Sequence, residues 1–202
     1  VVTASRGAQL LRESIPHTTV ITEREIRESQ AVDLPALLRR EAGFEFVQNG
    51  GIGRTSSAFL RGTATAQSLV LVDGMRMSDL NFGSTSLDQF MLEEIERVEI
   101  VRGNVSALYG SGAVGGVIQI FTRRGRGAPR ASALAGIGGE GDRRLSAAYG
   151  GEVRDTRFNL TASGFQTDGF SALRLEDAPQ ANPDRDGYRN RSFAASLSQR
   201  LA

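Results

Sequence analysis

The stretch Ile95–Thr122, IERVEIVRGNVSALYGSGAVGGVIQIFT, constrains the fold of this chain more than any other. It reads as a strand over Ile95–Val101, an Arg-Gly break, a Ser-initiated helical turn around Leu108 and Tyr109, a glycine-dense corner, and a second strand over Val117–Thr122. Gly103, Gly110, Gly112, Gly115 and Gly116 permit positive φ or close backbone approach, so the segment is expected to thread tightly against other backbone. Gly110 to Gly115 also satisfies G-x-G-x-x-G. That fingerprint binds a dinucleotide only as a strand-to-helix turn, with the pyrophosphate held on the helix N-terminus. Here the glycines lead into VIQIFT, which is β-branched and aromatic and so strand-like, and no βαβ repeat follows. Nucleotide binding is not expected.

Upstream, Thr18–Thr22 has strand character, and Thr22 with Glu25 forms a T-x-x-E capping box that opens a short helix through Ile26. Asp33 is placed to cap a second helix, with Leu34, Leu37 and Leu38 on one face, Pro35 in its first turn and Gly43 as its stop. Phe44–Val47 alternates as a strand, residues 49–53 make a Gly-rich loop, and Ala58–Arg61 is a short strand. Leu69–Val72 runs into Asp73-Gly74, a hairpin signal, with Met75–Met77 returning. Short helices mixed with short strands indicate an α+β domain ending near Arg124.

The texture changes after Arg123-Arg124-Gly125-Arg126-Gly127. From Ala128 onward segments of about ten residues alternate small or apolar groups with polar ones. Phe158, Leu160 and Ala162 share one face, and Asn159, Thr161 and Ser163 the other; Phe193, Ala195 and Leu197 alternate with serines and Ala194 in the same way. Gly138–Asp142 and Val153–Asp155 read as short turns, and Asp168–Arg189 as a long charged connection. Short turns at one end and long loops at the other are the pattern of an outer-membrane barrel. A water-soluble β-sandwich is the alternative reading of the alternation by itself.

Composition narrows the function classes. A net charge of +1, from 24 basic and 23 acidic residues, leaves no electrostatic footprint for nucleic acid. There is no cysteine, and His17 is the single histidine, so thiolate chemistry, a Ser-His pair beyond His17, and zinc or haem ligation lack support. The chain is not expected to be an enzyme. No apolar run approaches the ~18 residues of a transmembrane helix, so a membrane protein of this sequence is expected to be a β-barrel whose leader has been removed. Arg61 and Arg102 each precede glycine at the end of an apolar strand, where an unpaired charge is costly. Asn182, Asp184 and Asp186 ahead of Gly187 set oxygen donors at alternate positions, half of a calcium loop. The EF-hand form fails, because its twelfth position is Phe193 and no helices flank it; a solvated acidic loop is the alternative.

Phe59-Leu60-Arg61-Gly62-Thr63, Val70-Leu71-Val72-Asp73-Gly74-Met75-Arg76 and the Ile95–Thr122 segment, in this order and spacing, resemble the plug domain of TonB-dependent outer-membrane transporters. Asn104, where proline is usual, and Gln119, where asparagine is usual, are small departures. The resemblance implies an α+β plug domain over residues 1–127, of which 1–6 are the end of a TonB-box-like segment. Residues 128–202 then become the first four or so antiparallel strands of a transmembrane β-barrel of about 22 strands. The chain is expected to be a fragment that stops within a strand at Gln199–Ala202.

The same resemblance implies that Val1, Val2, Thr3 and Ala4 contact TonB from the periplasmic side. Arg61 and Arg102 are then expected to lock the plug against glutamates of the barrel wall. Ligand is expected on extracellular loops at Asn49, Gly50, Gly51, Ser56, Ser57, Asn81, Ser84 and Ser86, whose backbone and side-chain polar groups suit a polar ligand. Calcium, though no cofactor is required, is expected at Asp184 and Asp186, with Ser171 standing where another acidic ligand belongs and Glu176 and Asp177 a few residues on. Outer-membrane lipid would surround the barrel. Within the family, Val1–Arg6, Gln48–Gly51 with Ser56-Ser57, and Leu80–Ser86 resemble the branch that carries cobalamin and other corrinoids. A ferric-siderophore receptor is the alternative within the family, and a soluble α+β binding or signalling domain the alternative outside it.

Overall fold

Local capping and turn chemistry set the elements of the N-terminal part. The computed structural model describes residues 17–48, 50–54, 56–77, 87–171 and 184–200. β1 (His17–Thr22) runs into α1 (Glu23–Ser29), and Thr22 closes a full capping box. Its Oγ1 accepts from the Glu25 N–H at 3.4 Å, while Glu25 Oε2 accepts from the Thr22 N–H at 2.7 Å. The bonds from Thr22 hold the Glu25 carboxyl below the usual carboxylate range. Asp33 caps α2 (Leu34–Leu38), its Oδ1 accepting from the Ala36 N–H at 2.8 Å, and Leu34, Leu37 and Leu38 are all buried. Burial pushes the Asp33 carboxyl up, and the nearby Asp88 adds to that shift.

β2 (Phe44–Gln48) and β3 (Ser56–Leu60) pair as a two-stranded sheet. The strand expected over Ala58–Arg61 lies two residues earlier at its start and one at its end. Arg61 (φ 52°) and Gly62 (φ 74°) instead make a left-handed turn closed by a 3.1 Å bond from Thr63 N–H to the Leu60 carbonyl. β4 (Ser68–Val72) returns as β5 (Met75–Met77) through Asp73 (φ 49°) and Gly74 (φ 88°), the two positive φ angles of a type I′ turn.

β6 (Ile95–Arg102), α3 (Ser106–Tyr109) and β7 (Gly116–Thr122) follow. The strands assemble in the order β1-β6-β7-β4-β5, with β4 and β7 parallel and the other pairs antiparallel. Both faces of this sheet are covered. Val98, Ile100, Ile118 and Ile120 pack with α1 and α2 residues, while Leu69, Leu71, Val101 and Val117 pack with Val105 and Ala113 on the other face. Two buried faces explain why β4 reads as a continuous apolar run, and β7 as one broken only at Gln119, rather than as alternating strands.

The glycine corner threads as tightly as expected. Gly103 N–H donates to the Gly115 carbonyl and Val105 N–H to that of Ala113, both at 3.0 Å, and Gly115 N–H donates to Gln67 at 2.9 Å. A Cβ on Gly116 (φ 150°) would overlap the Val101 carbonyl oxygen. The Gly110, Ala113 and Gly115 amides are thus spent on neighbouring backbone.

The chain divides into two compact units, Val1–Val47 with Ser56–Thr122, and Gln48–Thr55 with Arg123–Ala202. The second is built on an antiparallel sheet of β8 (Arg130–Ile137), β9 (Arg143–Val153), β10 (Thr156–Thr167) and β11 (Tyr188–Gln199), in the order β11-β10-β9-β8. Register aligns rows of side chains across it: Ala133, Ala147, Ala162 and Phe193 in one, Ala131, Tyr149, Leu160 and Ala195 in the next. This apolar face is exposed, with Phe193 at 73%, Leu197 at 77% and Leu145 at 65%. The opposite face is polar, and several of its side chains bond one another along the strands. Asn159 Nδ2 donates to Thr161 Oγ1 at 3.0 Å, Ser192 Oγ to Asn190 Oδ1 at 2.9 Å, and Asn190 Nδ2 to the Tyr188 hydroxyl at 3.1 Å. Apolar residues outward and polar residues inward is the inverse of a water-soluble sheet and suits a hydrocarbon solvent. No helix among the described residues is long and apolar enough to cross a membrane, which says nothing of crossing by strands.

Candidate ligand-binding site

The Gly-rich loop belongs to the second unit and is clasped there. Within the loop, Gln48 Nε2 donates to the Gly51 carbonyl at 2.7 Å, and Arg54 N–H to the same carbonyl at 3.3 Å. Gly53 (φ 79°) lies flat against the Tyr188 ring, where any Cβ would overlap the aromatic carbons. A Cβ on Gly51 would meet Phe170 at 3.8 Å, and Phe165 backs Tyr188 at 6.4 Å between ring centroids. Arg54 Nη2 then donates to Asp186 Oδ1 at 2.5 Å. Glycine at position 53 is therefore a steric requirement of the approach to β11.

The structure thus brings Gly51 into one cluster with Arg54 and Asp186. Ser56 and Ser57 belong to β3, in the first unit. Ser56 is buried and its hydroxyl finds no partner among the described residues, whereas Ser57 is half-exposed. Asn49, Asn81, Ser84 and Ser86 lie outside the described residues, as do Val1, Val2, Thr3 and Ala4.

Calcium takes six to eight oxygens, and carboxylates dominate its sites. Among the described residues no group of three or more His, Cys, Asp or Glu is placed to hold a metal. Asp186 is already neutralised by Arg54, and Asp184 is exposed and engaged with another group. Glu176, Asp177 and Asn182 lie outside the described residues. Asp184 and Asp186 contribute two carboxylates, and the Arg54 guanidinium supplies a positive charge that Asp186 faces. The sequence reading missed Arg54. Its only local signal is a cation closing a glycine loop.

In the first unit, Arg102 is buried and fully engaged. Its Nη1 donates to Thr19 Oγ1 at 2.5 Å and approaches His17 Nδ1 at 3.3 Å, its Nε donates to the Ala42 carbonyl at 3.0 Å, and its Nη2 to Glu41 Oε2 at 3.3 Å. The side chain expected to reach a barrel glutamate therefore ties β1 and the α2–β2 connection to the end of β6. Arg61 is exposed, at a turn rather than at a strand end, with its N–H bonded to the Gly43 carbonyl at 2.8 Å.

Residues 11–117 match the family model described as the TonB-dependent Receptor Plug Domain. A vitamin B12 transporter, BtuB, of Vibrio cholerae serotype O1 is 37% identical over 191 residues, covering 94% of this chain and 31% of that protein. The vitamin B12 transporter BtuB of Photobacterium profundum is 36% identical over 198 residues, covering 98% of this chain and 32% of that protein. The chain thus spans about a third of the length of these curated relatives. Among solved structures, the siderophore receptor PirA from Acinetobacter baumannii superposes with a TM-score of 0.73 at 22% identity, over 95% of this chain and 30% of that one. At that identity the likeness bears on fold alone.

Proposed function

Because this chain belongs to the TonB-dependent receptor plug domain family, we propose that it is the plug and first barrel strands of an outer-membrane transporter for cobalamin or another corrinoid. The observation that carries the transport reading is the second unit's sheet, apolar and exposed on one face and polar on the other. That arrangement suits a lipid-facing barrel wall and gives a water-soluble signalling domain no reason to exist in this form. The substrate class rests on the two BtuB relatives, whose likeness runs through nearly the whole of this chain.

In this reading the extracellular end of the sheet carries the clasped loop at 50–54, and its backbone and side-chain donors face the ligand. Residues 1–4 contact TonB on the periplasmic side, and force applied there remodels the plug. Energy arrives through that contact, so the chain needs no nucleotide site and no catalytic group. Arg61 and Arg102 remain candidates for contact with the rest of the barrel, Arg61 the more available of the two because it is exposed.

The test uses the full-length transporter that contains this segment, with cyanocobalamin and a ferric siderophore as separate probes. Cyanocobalamin binding with TonB-dependent uptake supports the proposal, whereas siderophore binding alone would move it to the other branch of the family. Val2→Pro removes a backbone donor from a segment expected to pair in extended form. It should abolish uptake and leave extracellular binding unchanged; uptake at the wild-type rate would refute the N-terminal assignment.

A further inference from the structure

The apolar face of the second unit's sheet changes character at one edge. Beyond the row that holds Phe193, the next row toward the 138–142 turn carries Leu145, Gly164 and Arg191, and the one after it Arg143, Gln166 and Arg189. All three arginines are exposed, and among the described residues no carboxylate pairs with any of them. Two carboxylates at that end are engaged elsewhere: Glu140 faces Arg185 at 3.9 Å and Asp186 faces Arg54 at 2.5 Å. The opposite edge of the same face ends in Val153, Thr156 and Gln199, without charge. Arg157, at that end, is paired with Glu152 at 3.0 Å.

Strand geometry sets the spacing. Arg189 and Arg191 are two residues apart on one strand, about 7 Å, and Arg143 lies two strands from Arg189, about 10 Å. Three guanidinium forks on such a triangle present many N–H donors, in the geometry that grips phosphate oxygens in pairs. A free anion would account for the arginines but not for the Leu145 and Phe193 rows they adjoin. An apolar partner would account for those rows but leave three charges unanswered. An amphiphile with a phosphate at one end answers both, its acyl chains lying along the apolar rows.

We propose that Arg143, Arg189 and Arg191 form a binding site for the phosphate headgroup of an anionic lipid in the leaflet at the 138–142 end of the sheet. The proposal rests on the reading of β8–β11 as membrane-spanning. Arginines at this edge lie where the cost of charge on a lipid-facing strand falls toward zero, and their long stems reach outward to the headgroup layer. Proximity to anionic headgroups favours each of them further.

The test reconstitutes the full-length transporter in nanodiscs of mixed phosphatidylglycerol and phosphatidylcholine and counts lipids retained by native mass spectrometry. The wild type should retain phosphatidylglycerol preferentially, and R143Q/R189Q/R191Q should lower that preference about tenfold or more. Lysine at all three positions keeps the charge without the fork and should restore part of it. Cyanocobalamin binding serves as the folding control. Equal preference in the wild type and the glutamine variant, or none in the wild type, would overturn the site. Displacement of phosphatidylglycerol by millimolar inorganic phosphate would show a free-anion site and overturn the lipid assignment. Failure of the wild type to insert into either lipid would instead refute the membrane reading on which the site depends.

Discussion

Arg54 Nη2 lies 2.5 Å from Asp186 Oδ1, a pair that closes the Gly-rich loop onto the start of β11 across 132 positions of sequence. A guanidinium so placed does for the loop what a divalent cation would do. Arg54→Ala should therefore weaken cyanocobalamin binding by the full-length transporter, and by the same factor in calcium and in chelator. The pair is partly solvent-exposed, so the loss should stay near 0.5–1 kcal/mol, or about two- to fivefold. Calorimetry in both buffers checks it; a loss confined to calcium-containing buffer would restore a calcium centre at Asp184 and Asp186.

Asp33 predicts a pH dependence. Burial raises its carboxyl pKa, so the folded chain holds that proton more tightly than the unfolded one. Stability then falls as pH rises from the ordinary aspartate value through the folded value, and the deficit persists above it. Asp88, buried nearby with Oδ1 lacking a hydrogen bond, adds to the burden when both are charged. Asp33→Asn keeps an oxygen for the Ala36 N–H and removes the charge. The variant should be the more stable protein at pH 7, with the gain vanishing below the ordinary aspartate pKa. Urea unfolding of residues 1–124 across pH measures the difference, and a gain independent of pH would show that charge is not its cause.

Arg102→Ala should be the most damaging single change in the first unit. It strips partners from Glu41, the Ala42 carbonyl and the Thr19 hydroxyl at once, a loss on the order of 3 kcal/mol. Hydrogen exchange should accelerate first in 17–22 and 95–102, the two strands it joins. Uniform acceleration through the unit would point instead to global destabilisation.

Residues 1–124 should be soluble alone, whereas the 202-residue chain should aggregate or require detergent. Its sheet exposes Ile137 at 93%, Leu197 at 77% and Phe193 at 73%, and leaves β8 and β11 each with an unpaired edge among the described residues. Sedimentation without detergent decides it. A monomeric 202-residue species would remove the lipid-facing role of the sheet.

Local chemistry was legible in the sequence where the controlling atoms are a few residues apart. Thr22 with Glu25, Asp33 with Ala36, and Asp73-Gly74 each act within four positions, and each formed as read. Period-two alternation likewise foretold the faces of β10 and β11, because register follows once one face is committed. The strand at Ala58–Arg61 was misplaced because a left-handed pair at Arg61 and Gly62 overrides the run of apolar residues before it. Arg54–Asp186, the parallel pairing of β4 with β7, and the partners of Arg102 depend on residues tens of positions apart, and no local pattern encodes them. The D-x-D-G spacing behind the calcium expectation is local, whereas Arg54, which pairs with Asp186, comes from another loop.

β1 is the edge strand of its sheet and runs antiparallel to β6, with His17 opposite Arg102. Tension entering the strand through the residues before His17 therefore meets the pair at its open end. Pulled sideways from β6, such a joint peels like a zipper, one rung at a time, instead of sharing the load across all rungs as a joint in shear does. The first rung carries Arg102, whose guanidinium grips Thr19 on the departing strand and Ala42 and Glu41 on the part that stays. A pull of β1 away from β6 would have to break that grip first, and the β6–β7 and β4–β7 pairings use no backbone of β1.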